Sequence, residues 1–431
     1  MRKIYFGFLL CFIGTTFVCG QNVSNGELAK YRRNSLATMM VYHEGDSFAN
    51  ELQTAFLAIP IPDKYDDHNI GVRVLDNRHL NLKTAWGRAL NKKEVQLNNS
   101  KITEYLNSQD CAKAMVARWF NYDPDNNTFN TKLLAERGNY NATELDVANA
   151  QNTVRGVAML ADAGEELLHN TFVVVNDISY VNKEEQAALA QAIIEGTVGI
   201  LGALLGMEKE AKEITNLSKD ITDMVSGFKV RTNSYLYQLE WNDSVAAIFY
   251  EKYYTETPDP VKIQAFIDDK TTFRMVPAAT EYEYDSKGAL RGTYDQSELI
   301  KTVCTRSLDK NIAALQLQYE DFKIKTPIYE IVVNDKGKIQ GIAAKVGLKE
   351  GVTPKSSYQV LEQSVDEEGR TMYRKIATLK PEKDKIWDNR YMATEEKDEG
   401  SDLSYTLFKK SGGGEVYPGM LIIEGKYKKA K

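Results

Sequence analysis

Two short stretches carry residue types able to do chemistry. Asp63, Asp66, Asp67 and His68, with Arg73 nearby, place carboxylates and an imidazole within a few positions. Such a set can hold a metal ion or share acid–base work. A solvated loop between a helix and a strand has the same composition, because Asp and Asn form turns by bonding their own backbone. The second stretch is Trp387-Asp-Asn-Arg390. Trp and Arg are favoured anchors of binding surfaces. Asp388 and Asn389 equally suit a turn, with Trp387 closing a β-core. Asn176 and Asp177 end an apolar segment, where they face a cleft or simply terminate a strand.

Other chemistries lack their motifs. There is no Gly-x-Ser-x-Gly elbow, no His-Glu-x-x-His pair and no phosphate loop ending in Lys. His43, His68, His79 and His169 show no ligand spacing, so a zinc site would need residues distant in sequence. Asp123, Asp125 and Asn127 imitate the opening of a calcium loop. Thr128 then stands where the loop needs Gly, and Leu134 where it needs a bidentate Glu, so a plain turn is expected. No cofactor and no metal are expected.

The elements that must position these residues fall into three regions after a leader. Arg2 and Lys3, the apolar run Ile4 to Val18, and Val18 and Gly20 at −3 and −1 form a secretory signal over residues 1–20, so Gln21 becomes the first mature residue. Val18 before Cys19 fits a lipoprotein signal poorly. Residues 21–140 read as mixed α and β. Leu36 to His43 is a strand, and a helix capped by Ser47 carries Phe48, Leu52, Ala55 and Phe56. Ile70, Val72 and Val74 alternate as a strand, and helical patterns follow at Leu82–Leu90 and Ile102–Phe120.

Residues 141–324 form the central region around which the chain is organised. Leu145 to Leu168 is an amphipathic helix. Thr171-Phe-Val-Val-Val-Asn-Asp-Ile178 is a buried strand, and Val230 to Trp241 an alternating one. Between them lies an αα-hairpin over 183–228. Gly196, Gly199, Gly202 and Gly206 form a small-residue face, a helix-packing or oligomer contact, opposite a seam of Ile214, Leu217, Ile221, Met224 and Phe228. The run 187–207 admits membrane contact, but Gln191 and Glu195 interrupt it as a span. Asp243 or Ser244 caps a helix to Tyr254, Pro258 and Pro260 break the chain, Thr272 to Tyr284 is a strand, and Ser297 to Tyr319 is a long helix.

Composition is that of an ordinary folded protein, with 43% hydrophobic and 26% charged residues. The net charge is −6 with no long basic tract, so nucleic acid is not an expected partner. Cys11 and Cys19 leave with the signal. Cys111 and Cys304 sit on apolar helical stripes and are read as buried free thiols or as a disulfide.

Residues 325–431 read as a small closed or sandwiched β-module of short strands separated by turns such as Asn334-Asp-Lys-Gly337. Within it, Val346-Gly-Leu-Lys-Glu-Gly-Val352 and Tyr358-Gln-Val-Leu361 resemble the small β-barrel C-terminal domain of flagellar assembly T proteins, which implies an interaction module. Four stretches resemble an uncharacterised group of exported Bacteroidetes proteins: Ile59-Pro-Ile-Pro-Asp-Lys-Tyr-Asp-Asp-His68, Ala135-Glu-Arg-Gly-Asn-Tyr140, Leu168-His-Asn-Thr-Phe-Val-Val-Val-Asn-Asp177 and Lys385-Ile-Trp-Asp-Asn-Arg390. That resemblance implies a bacterial envelope context and no activity. The expectation is a multidomain α+β protein, exported to the periplasm or associated with the outer membrane. It acts without catalysis as an interaction or assembly component, its partner another envelope protein or a second copy. The alternatives are a hydrolase of envelope or extracellular polymers using Asp66 and Asp67, and a membrane-active protein using the hairpin.

Overall fold

A computed structural model describes residues 34–83, 90–141, 166–181, 228–287, 296–365, 371–393 and 403–425. The chain opens with β1 (Ser35–Tyr42), α1 (Ala49–Leu57), two short strands β2 (Asp66–Asp67) and β3 (Val74–Asp76), and a helical turn α2 (Asn77–Leu80). Helices α3 (Lys92–Ser108), α4 (Cys111–Trp119) and α5 (Lys132–Asn141) follow. Then come β4 (Thr171–Tyr180), β5 (Phe228–Leu239), α6 (Asp243–Ile248) with a π turn at Phe249–Tyr253, α7 (Pro260–Asp268), β6 (Met275–Lys287) and α8 (Gln296–Gln318).

These elements build a mixed sheet in the order β2-β1-β4-β5-β6, with β3 also pairing β1. β1 runs parallel to β2, β3 and β4, and β5 and β6 continue antiparallel. Side chains of a strand alternate between faces, so each strand feeds two cores. Met39, Val41, Val173, Val175, Tyr235 and Tyr237 pack with α3, α4 and the aromatic cluster around Phe249. Leu36, Met40, Phe172, Val174, Ile178 and Leu236 pack with α1 and α8 on the opposite face. Helices thus cover both faces, which is why β4 reads as a continuous apolar run rather than an alternating one.

A closed six-stranded barrel follows, in the order β10-β11-β8-β7-β12-β9. Its strands are β7 (Thr326–Val333), β8 (Ile339–Ala344), β9 (Tyr358–Val365), β10 (Thr371–Pro381), β11 (Thr406–Gly413) and β12 (Leu421–Glu424). Ile328, Ile342, Val360, Leu379, Phe408 and Ile422 fill its core. The α+β class and the C-terminal barrel therefore agree with the sequence reading.

Several local expectations change. Val72 is exposed, and the strand shrinks to Val74–Asp76. The helical pattern across Ile102–Phe120 is two helices, split where Asp110 takes φ 53°. Ser47 does not cap α1; Phe48 occupies that position at φ 61° without a side-chain cap. Asn242, not Asp243 or Ser244, caps α6 by accepting from the amides of Ser244 and Val245, each at 3.1 Å. Pro260 starts α7, where a missing N–H costs nothing, instead of only ending what precedes it. The helical hairpin over 183–228, with Gly196, Gly199, Gly202 and Gly206, lies outside the described residues up to Phe228. No described helix is long and apolar enough to cross a membrane.

Candidate functional site

The barrel meets the layered body along α8, and the polar residues of that seam form the candidate site. A short 3-10 turn, Leu348–Glu350, and the loop that begins at Trp387 make the barrel's side. Gly347 pairs with Trp387 as an isolated parallel bridge, and the Leu348 amide donates to the Trp387 carbonyl at 3.0 Å. Asn389 bonds both ways. Its Oδ1 accepts from the Lys349 amide at 2.9 Å, and its Nδ2 donates to Glu350 Oε2 at 2.8 Å. Glu350 Oε2 also accepts from the Gly347 amide at 2.7 Å. Asp388 and Arg390 form a two-bond fork at 2.9 and 2.8 Å. The next residue docks on α8: the Tyr391 carbonyl accepts from Arg306 Nε at 3.0 Å and Nη2 at 2.6 Å.

This arrangement leaves an open cavity of about 270 Å³ lined by Asp63, Lys349, Trp387, Asp388, Asn389, Arg390, Met392 and Ala393. Asp63 comes from the loop before β2, and its Oδ1 lies 3.4 Å from Lys349 Nζ. The two stretches singled out in the sequence therefore meet here, joined through Asp63. Behind the cavity lies a water-sized hollow lined by Lys64, Tyr65, Asp309, Gln316, Lys349 and Glu350, among others.

The seam is electrostatically tight. Burial works against the Asp63 carboxylate, but Lys349 and Lys64 outweigh it and hold Asp63 below the usual range. Burial pushes Glu350 up, against the pull of Lys64. Burial also pushes Asp309 up to about 7, although Lys349 and Arg306 oppose it. Asp309 Oδ2 is buried and has no hydrogen-bond partner among the described residues. Lys349 is raised: burial disfavours its charge, and Asp309, Asp63 and Glu350 more than compensate.

Asp66, Asp67 and His68 do not converge on a cleft. Asp66 and Asp67 pair as β2 with Ser35 and Leu36 of β1. Asp67 is exposed, and its side chain accepts from the Asn69 amide at 2.9 Å. His68 is fully buried. Its Nε2 lies 3.0 Å from the Met115 carbonyl, an acceptor, so that nitrogen carries the proton. Its Nδ1 accepts from Arg137 at 3.1 Å. Burial and the Arg137 charge hold its pKa well below the usual value. His68 stacks on Trp119 with ring centroids 4.9 Å apart, and Arg137 covers the same ring at 4.6 Å. It is a core residue that fastens α4 and α5 to β1. Arg73 donates to the carbonyls of Leu57 and Ile59 at the end of α1, at 3.1 and 3.3 Å.

Asp123 makes the expected turn, its carboxylate accepting from the Asp125 and Asn126 amides at 2.9 and 3.0 Å. No group of three metal-ligating side chains occurs among the described residues.

One pair escaped the sequence reading. His43, just past β1, places Nε2 2.7 Å from Asp177 Oδ1 near the end of β4, and both residues are buried. Each residue was visible at the end of an expected strand, but nothing in the sequence says that β1 and β4 are neighbours. Asn176 instead joins a buried network, accepting from Ser234 at 2.6 Å, while Asn311 of α8 donates to Ser234 at 2.7 Å. With this geometry in view, comparison with protein-family models and with curated proteins finds no match for the chain.

Proposed function

We propose that the protein is an exported component of the bacterial cell envelope that binds a partner at the barrel–body seam, without catalysis at that place. The supporting observation is the cavity of about 270 Å³ that gathers Trp387, Arg390, Lys349 and Asp63. Binding energy concentrates in buried aromatic and Arg anchors surrounded by polar groups, and this seam has that composition. The packed barrel core directs any partner to the outer loops. The partner is another envelope protein or a second copy of the chain, and the location is the periplasm or the outer membrane.

Crosslinking pull-down of tagged protein from native envelope fractions tests this reading, with Trp387→Ala and Arg390→Ala beside the wild type. A discrete partner or oligomer is expected, and each variant should weaken its capture roughly tenfold or more, the scale of a binding hot spot. Recovery of the wild type alone, or capture unchanged in folded variants, would defeat it. Fractionation and N-terminal sequencing check export: the mature chain should begin at Gln21.

A further inference from the structure

Asp309 stands where the barrel is fastened to the body. It lies on α8 and lines the hollow of about 20 Å³ behind the cavity, with Lys64 and Tyr65 of the loop before β2 and Lys349 and Glu350 of the barrel's 3-10 turn. That hollow has room for one water or one ammonium group, so Asp309 acts on its neighbours rather than on a ligand. The turn sits close on α8: a Cβ on Gly351 would lie 3.2 Å from the Ala313 side chain. Two carboxyl groups reach the hollow. Glu350 is held by the Gly347 amide and by Asn389 Nδ2, two donors at 2.7 and 2.8 Å. Asp309 Oδ2 is buried with no hydrogen-bond partner among the described residues. Ionising Asp309 therefore places a buried charge where a donor must come to it.

A donor able to move is at hand. Lys349 lines both the hollow and the cavity. On the cavity side its Nζ lies 3.4 Å from Asp63 Oδ1, longer than a firm hydrogen bond. Its stem is long and flexible. Asp309, Asp63 and Glu350, in that order, favour its charge. We propose that Asp309 and Lys349 form a proton switch in the seam: protonated Asp309 leaves Lys349 on Asp63, and ionised Asp309 draws Lys349 into the hollow and away from the cavity. The switch rests on the reading of the cavity as a partner site and supplies its regulation. With Lys349 withdrawn, the cavity keeps the carboxylates of Asp63 and Asp388 but only the Arg390 cation. A partner fitted to the balanced cavity is then held less well.

Burial raises Asp309 to about 7, so the neutral acid dominates below that pH and the carboxylate above it. The other charged or titratable groups around it come from three elements. Arg306 lies on its own helix, Asp63, Lys64 and Tyr65 on the loop before β2, and Lys349 and Glu350 on the turn. Arg306 already donates to the Tyr391 carbonyl at 3.0 and 2.6 Å, and Lys345 acts on Lys64 behind the hollow.

The test follows Trp387, which lines the cavity. Its signal is the fluorescence of the whole chain from Gln21 less that of Trp387→Phe, recorded across pH 5–9. The wild type should show one step with its midpoint near pH 7. Asp309→Asn, uncharged at every pH, should show none. Asp63→Asn, which removes the competing carboxylate, should move the step to lower pH. These readings need no partner. Capture from envelope fractions then measures regulation. Wild-type capture should be at least about fivefold stronger at pH 6 than at pH 8, the lower end of coupling between sites, and capture by Asp309→Asn should be equal at the two. A flat Trp387 signal, a step that survives in Asp309→Asn, or wild-type capture equal at pH 6 and pH 8 would overturn the switch. The expected steps without capture at any pH would support the switch and defeat only the partner reading.

Discussion

A carboxyl group whose burial outweighs its nearby cations must hold its proton more tightly than it does in water. Asp309 is such a group: its Oδ2 has no hydrogen-bond partner among the described residues, and its pKa is raised to about 7 despite Lys349 and Arg306. The folded value exceeds the unfolded one of about 3.9, so the folded state binds more protons between those limits. Stability is then lost as pH rises through that window, and the loss is complete above about pH 7. Asp309→Asn removes the charge. It should flatten the profile between pH 4 and 7 and raise stability at pH 8 by roughly 1–3 kcal/mol, allowing for local relaxation. Urea denaturation of both proteins across that range checks it; parallel profiles would refute the assignment. At this scale the sequence shows residue types but not their surroundings. His68 and Asp309 are both ionisable residues in polar stretches. Trp119 and Arg137 turn the first into core, and packing of the barrel's 3-10 turn against α8 strands the second.

Elements were legible in proportion to how strongly burial patterns them. β4 announced itself because two helix layers cover it, and the Cys304 stripe on α8 because one whole side of that helix meets the sheet. β3 is shorter than the alternation suggests because Ile70 packs against the core from a loop while Val72 is exposed. The barrel strands are legible from their turns, and Trp387–Arg390 stands out in the sequence, but the path of that loop against the 3-10 turn does not, since it depends on one close approach. Gly347 sits so near Trp387 that a Cβ there would strike the Trp387 carbonyl and the Asn389 side chain. Its backbone is extended, so contact alone sets the requirement. Gly347→Ala should cost about 1–3 kcal/mol, dislodge Asn389 from Lys349 and Glu350, and weaken partner capture. Gly412→Ala meets open space and should stay within about 0.5 kcal/mol of wild type. Equal melting temperatures for the two variants would show that the seam does not depend on this approach.

Over the whole molecule, the sheet acts as a partition. Cys111 on α4 belongs to the core on one face, and Cys304 on α8 to the core on the other. Composition alone left a disulfide open, because an exported chain enters an oxidising compartment. The layering closes that option: a disulfide needs Cα atoms within about 7 Å, and a full sheet lies between these two. Layer membership depends on which strands neighbour one another, and the pairing of β1 with β4 joins residues far apart in sequence. Both thiols are buried and neither forms a disulfide, and burial pushes Cys111 up to about 12, so little reactive thiolate forms there near neutral pH. A protein prepared from Gln21 onward, which leaves Cys111 and Cys304 as its two thiols, should therefore show no reaction with Ellman's reagent while folded. It should release two thiols per chain in denaturant, with or without prior reduction. Release only after reduction would place the two cysteines in contact and break the three-layer arrangement. Rapid reaction of one thiol in the native state would instead mean that its helix layer opens while the sheet and the opposite layer stay packed.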